Sequence, residues 1–171
     1  MHLFPRVTSL FIVSFMLLVG CQSNQVQVTA AEVRLQEQSS ALARVLPKGV
    51  SITQATDYIS VVVPGGQVFA SGATAPSTSA QVVLDQIAAH LIQFENESLG
   101  IHTHSDSVGA EELNLRITKE RARAVAEYLA RRGVTKTKFI IYAHGEHDPI
   151  DSNQLRSGRM ANRRLELVIQ L

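Results

Sequence analysis

A chain of 171 residues with 45% apolar side chains suits one compact domain with appendages. Aromatic residues make up 5% and tryptophan is absent, which argues against an aromatic platform for stacking bases. The formal charge of +1 exerts no long-range pull on nucleic acid or an anionic membrane, so an anionic ligand would have to be held by local geometry.

The chain opens with a short segment ending on Arg6, followed by an apolar run over residues 7–20 (VTSLFIVSFMLLVG). A charged start before a 7–15-residue apolar stretch is the pattern of a secretory signal peptide. The competing reading is a helix that stays in the membrane. Fourteen residues rising 1.5 Å each reach only ~21 Å, short of a ~30 Å hydrocarbon core, so the signal reading is preferred over residues 1–20. One cysteine, Cys21, excludes an intramolecular disulfide. Leu18-Val19-Gly20-Cys21 resembles the bacterial lipobox, which implies acylation of the Cys21 thiol, cleavage before it and acylation of the new amine. Two or three acyl chains, at about 0.8 kcal/mol per buried methylene, anchor durably where one is marginal. By the same analogy Gln22, standing where Asp would retain the protein elsewhere, implies sorting to the outer membrane.

Residues 21–50 are expected to form the lipidated cysteine and a tether. Their start (QSNQVQVT) is polar, whereas Ala30 to Leu46 has a helical cast with Val33, Leu42, Val45 and Leu46 apolar, and Pro47 ends it. A solvated tether and a helix packed on the domain are both open. A globular domain is expected over residues 51–171, with its pattern plain from Asp57. Tyr58 to Val63 reads as a strand stopped by Pro64-Gly65-Gly66. A loop of small residues over 67–78 precedes a helix from Ser79 to about Glu95, with Val83, Ile87, Ala88, Leu91 and Ile92 on one face. Leu99 to Thr103 is a second strand. Gly109 or Ala110 opens a long helix that ends at Arg131-Arg132-Gly133, with cations and glycine where a helix C-terminus favours them. Lys138 to Ala143 and Leu165 to Leu171 are the third and fourth strands. This order predicts an α/β (α+β) two-layer sandwich, a βαβαβ–β mixed sheet with helices packed on one side.

Thr103-His104-Ser105-Asp106, Gly109, Asn114 and Ile117-Thr118-Lys119-Glu120-Arg121-Ala122 follow a family pattern of Gly-His-Thr-Asp, a spaced Gly and Asn, then Leu-Ser-x-x-Arg-Ala. Val125, Tyr128-Leu129, Gly133-Val134, Gly145-Glu146, Pro149 and the closing Gly158-Arg159-x-x-Asn162-Arg163-Arg164 extend the match. Over roughly residues 57–171 the chain resembles the OmpA-like domain of peptidoglycan-associated lipoproteins and flagellar stator proteins. It departs at Thr103 for Gly, Ile117-Thr118 for Leu-Ser, and Ala143 for Gly. The resemblance implies a non-enzymatic binding domain in which Asp106 and Arg121 hold the diaminopimelate of a peptidoglycan stem. A carboxylate suits the ammonium of that zwitterion and a guanidinium fork suits its carboxylate. It also implies a periplasmic, outer-membrane location. His104, Asn114 and Arg163 are further candidates. Asn114 could bind the stem or fix its loop, and Arg163 could bind or bridge strand and helix. Phe69 and Gly72 fall where the family's first loop borders the pocket, with apolar packing preferred for Phe69.

The residues themselves add one observation. Ile117, Arg121, Val125 and Tyr128 share a helical row, so Arg121 interrupts a mostly apolar stripe and needs a partner. A plain Asp106–Arg121 ion pair is the bland alternative to ligand binding. Six histidines raise a metal reading through His102, His104, His144 and His147 with Asp106 and Asp148. Neither spacing is a recognised ligand pattern, so no metal and no cofactor are expected. Eight basic residues against two glutamates over 116–138 read as a solvated helix face rather than a nucleic-acid surface. No Gly-x-Ser-x-Gly elbow is present. The expected function is an outer-membrane lipoprotein that tethers the membrane to peptidoglycan. The alternatives are an accessory subunit docking in an envelope machine such as a type IV secretion core or flagellar motor, and a metal-dependent periplasmic hydrolase.

Overall fold

The computed structural model describes residues 29–70, 72–94, 96–134 and 138–170. The expected signal segment and Cys21 lie outside the described residues. Five strands form one mixed sheet in the order β1-β2-β5-β3-β4, where β1 is Ser51–Gln54, β2 Tyr58–Pro64, β3 Ser98–His104, β4 Phe139–Gly145 and β5 Arg164–Gln170. Only β3 and β4 are parallel, joined by the long helix α4 (Glu111–Arg131); the other pairs are antiparallel. Helices α1 (Ala30–Val45), α3 (Thr78–Gln93) and α4 cover one face, with short helices α2 (Gly65–Val68) and α5 (Arg156–Asn162) at the site end.

Alternation builds the core. Ile59, Val61 and Val63 of β2, Leu99 and Ile101 of β3, and Leu165, Leu167 and Ile169 of β5 are all fully buried. Against them pack Leu84 and Ile87 of α3 and Val125 and Leu129 of α4. The intervening residues of the same strands include Ser60, His102 and Glu166, polar groups suited to a two-layer arrangement that leaves one sheet face without helices. Ser60 Oγ donates to Glu166 Oε1 on that face at 2.7 Å.

The predicted layers and the four longer strands stand, with shifts that have local causes. β1 escapes a pattern reading because it is four residues long, polar and mostly exposed, an edge strand held by pairing with β2. α3 starts two residues earlier than expected, because Ser77 rather than Ser79 caps it, accepting from Ala80 N at 3.1 Å. Ile92, counted on its buried row, is exposed. α2 and α5 are too short and too glycine-bearing to announce themselves.

α1 settles the choice between tether and packed helix for its own residues. A Thr29–Glu32 capping box starts it, and Leu35, Gln38 and Leu42 are buried, whereas Val33 and Val45 face out. Gln38 Oε1 accepts from His90 Nε2 at 2.9 Å, so the buried amide and imidazole satisfy each other. Burial pulls His90 down to about 4. The folded state therefore holds this ring neutral while the unfolded chain protonates it below about 6.5. Stability is full above that pH and falls as pH drops toward about 4, by on the order of 3 kcal/mol. Melting curves at pH 7.5 and 4.5 should show the drop, and His90→Gln, which keeps a donor for Gln38 but cannot titrate, should reduce it.

Candidate functional site

A cleft of about 540 Å³ opens where α2 and the loop after it meet the ends of β3, α4 and α5. Two tight backbone approaches shape it. Gly65 opens α2 against the main chain of Arg163, so close that a Cβ there would sit 1.6 Å from the Arg163 carbonyl oxygen. Gly145 ends β4 at φ +56°, a left-handed turn that glycine adopts without cost, and its N–H donates to Thr118 Oγ1 at 3.1 Å. Thr103 Oγ1 donates to Thr118 O at 2.7 Å, tying β3, α4 and β4 together beneath the site.

Asp106 stands two residues past the end of β3 and is buried. Its Oδ1 accepts from Val108 N at 3.1 Å, the local turn favoured by Asx residues, and its Oδ2 pairs with Arg163 Nη1. The bland alternative drawn from sequence, an Asp106–Arg121 bridge, is not what forms. Arg163, at the C-cap of α5, takes the carboxylate instead.

Arg121 is 8% exposed. The helical row places it as expected, between half-buried Ile117 and buried Val125. Its Nε donates to Ala73 O at 3.0 Å and its guanidinium lies 4.7 Å from the centroid of the Phe69 ring. Phe69 thus packs on the core and carries the arginine at once. Among the described residues no carboxylate pairs with Arg121, and its two terminal nitrogens make no hydrogen bond. Burial, and then the nearby Arg163 cation, lower its pKa, with Asp106 partly opposing.

Asn114 fixes the loop: its Nδ2 donates to Asp106 O at 3.2 Å and to Glu146 Oε2 at 2.7 Å. Asn162, fully buried, does the same on the far side. Its Oδ1 accepts from Ile150 N and Asp151 N at 2.8 and 2.9 Å, and its Nδ2 donates to Asp151 O. Arg164, at the cleft wall, donates from Nη1 to Asp148 O at 3.1 Å. His104 borders the cleft, buried, with neither ring nitrogen bonded among the described residues. His147 departs from the histidine grouping considered above and meets Glu111 at 3.1 Å. The outward face of α4 carries Lys119, Arg123 and Arg131 into solvent.

Sequence reading assigned no role to Ser105, Arg159 or Gly65, all of which line the cleft. Ser105 stood inside the quoted motif, and its buried hydroxyl has no partner among the described residues. Gly65 read only as a turn, because a contact with residue 163 has no local signature. The lining carries four arginines, Arg121, Arg159, Arg163 and Arg164, against Asp106, so the cleft favours a ligand rich in carboxylates.

Comparison with known proteins places this geometry among relatives. Residues 68–163 match the OmpA family. The chain is 29% identical over 121 residues to probable lipoprotein YiaD of Escherichia coli, covering 71% of this chain and 55% of that protein. It is 33% identical over 87 residues to the peptidoglycan-binding protein ArfA of Mycobacterium tuberculosis, covering 51% of this chain and 27% of that one. The chain spans about half the length or less of these curated relatives. The structure of the cell wall anchor of the T6SS from Pseudomonas aeruginosa superposes with a TM-score of 0.67 at 25% identity, over 80% of this chain and 96% of that one.

Proposed function

Because the chain belongs to the OmpA family, we propose that its domain grips peptidoglycan non-covalently, holding the diaminopimelate of a stem peptide between Asp106 and Arg121. The observation that carries this reading is Arg121, a buried guanidinium with no carboxylate partner among the described residues. An uncompensated buried charge is costly, and a ligand carboxylate would remove the cost. Asp106 stands ready for the ligand ammonium, sharing its charge with Arg163, while Asn114 holds the loop that presents it. His104 and Ser105 border the same space. The cleft binds and does not catalyse: we assign no nucleophile, cofactor or nucleic acid to it.

Residues 1–20 act as a signal peptide, Cys21 carries the lipids, and the protein faces the periplasm from the outer membrane. Among the described residues no helix is long and apolar enough to cross a membrane. Since α1 packs on the domain from Ala30, the chain between Cys21 and the packed helix can span at most ~28 Å. So short a link holds the domain near the membrane, and the wall must come to it. Cys21→Ser should abolish palmitate labelling and release the protein from membranes while the melting curve stays unchanged. Membrane association of that variant surviving high salt and carbonate would rule out Cys21 as the anchor.

The test of the binding reading is sedimentation with purified sacculi of the diaminopimelate type, competed by free diaminopimelate. Saturable binding that free diaminopimelate displaces is expected; its absence would overturn the reading. The likeness to a secretion-system wall anchor favours a second reading, in which the same cleft positions an envelope machine. Copurification with a large ring complex from crosslinked envelopes would support it.

A further inference from the structure

On the sheet face that no helix covers, β3 and β4 stack a row of rings. His102 lies against Tyr142 with centroids 4.2 Å apart, and His104 against His144 at 4.3 Å, within 8° of parallel. The turn after β4 brings Asp148 back onto His144 Nδ1. One ligating atom each from His104, His144 and Asp148 lies within 4.8 Å of the other two.

We propose that His104, His144 and Asp148 form a binding site for a divalent cation of the zinc class, beside the cleft of Asp106 and Arg121 that His104 also borders. Two imidazoles and one carboxylate are the donor set such an ion accepts, with a fourth position left for water. The independent sign is His104. It is 5% exposed, and neither of its ring nitrogens has a partner among the described residues. A buried polar ring left unbonded calls for an explanation, and a cation supplies one.

Loading needs only side-chain movement. Ligand atoms around tetrahedral zinc are ~3.3 Å apart, so the longest of the three separations must close by up to ~1.5 Å, while Asp148 draws back from His144 Nδ1 to admit the ion. The ion must also lie in the plane of each imidazole, so one of the stacked rings has to turn about its Cβ–Cγ bond. The cation takes the place of the proton between His144 Nδ1 and Asp148. His144 then donates from Nε2 to His102 Nδ1, which stands 2.9 Å away, the outer partner that metal-bound imidazoles usually have. Among the described residues the guanidinium beside the group is that of Arg164. It is engaged by the carbonyls of Asp148 and Asn162, and Glu166 and Asp148 offset its charge. His144 and Asp148 reach solvent, which gives an ion a way in.

The experiment uses the full-length chain in detergent, dialysed free of metal and titrated with zinc chloride by calorimetry, with cobalt(II) absorption as a probe of coordination. One equivalent of zinc should bind and raise the melting temperature. Asp148→Asn and His144→Gln should each weaken binding at least about tenfold, while His147→Gln, which alters only the exposed pair with Glu111, should leave it unchanged. Asp148 is 57% exposed, so its variant is expected to fold, and its melting curve without metal checks that. Absence of a one-to-one site in the wild type would overturn the proposal. So would binding indifferent to Asp148→Asn, or binding lost with His147.

Discussion

Replacing Asp106 by alanine should weaken binding to diaminopimelate-type sacculi about ten- to hundred-fold, and Arg121→Ala should do the same. Each removes one end of a two-ended recognition, and a hydrogen bond to a charged group contributes about 1.5–3 kcal/mol. Their effects on stability should be far smaller. Asp106 pairs with Arg163, whose side chain is 39% exposed and can turn to water, so breaking that pair costs at most about 1 kcal/mol. Arg121 has no carboxylate to abandon; its removal gives up one bond to Ala73 O and a stacked contact with Phe69, and relieves a buried charge. Melting temperatures of both variants should therefore stay within roughly 2–4 °C of wild type. Arg121→Lys should recover little binding, because an ammonium cannot reproduce the planar fork. If Arg121→Ala melted far lower and yet sedimented normally with sacculi, the arginine would be a structural residue and the cleft would not be the site.

Gly65→Ala should produce the largest loss of stability among single-atom additions in this domain. Its new Cβ would stand 1.6 Å from the Arg163 oxygen, 2.2 Å from the Arg163 carbonyl carbon and 2.7 Å from its Cβ. Two of these three are backbone atoms, so no rotamer change relieves the clash, and α2 must move away from the junction of α5 and β5. Overpacking of this kind costs about 1–3 kcal/mol, occasionally more. The melting temperature should drop by roughly 3–10 °C. Since Arg163 pairs with Asp106, displacing its backbone should also lower sacculus binding. Gly66→Ala is the control for stability: nothing lies within 4 Å of its Cβ position, and its melting temperature should match wild type.

The periods of two and 3.6 sufficed for the layers. Buried Ile59, Val61 and Val63 alternate with residues of the open face, and Val125 and Leu129 recur along α4, because each pattern records which side of its own element meets the core. The same local logic placed Arg121 on a buried row and Asp106 just ahead of its helix, and the spacing of the motif identified the family. Chemistry between elements distant in the chain was beyond that reach. That Asp106 pairs with Arg163 and not Arg121, that Gly65 must be glycine for the sake of a residue nearly a hundred positions on, and that His104 meets His144 and Asp148 all depend on β5 lying between β2 and β3, and on β3 pairing parallel with β4. A sequence states which side of an element is apolar. Which polar groups on the remaining sides come within 3 Å of each other is fixed by strand order and register, set by packing the whole core at once.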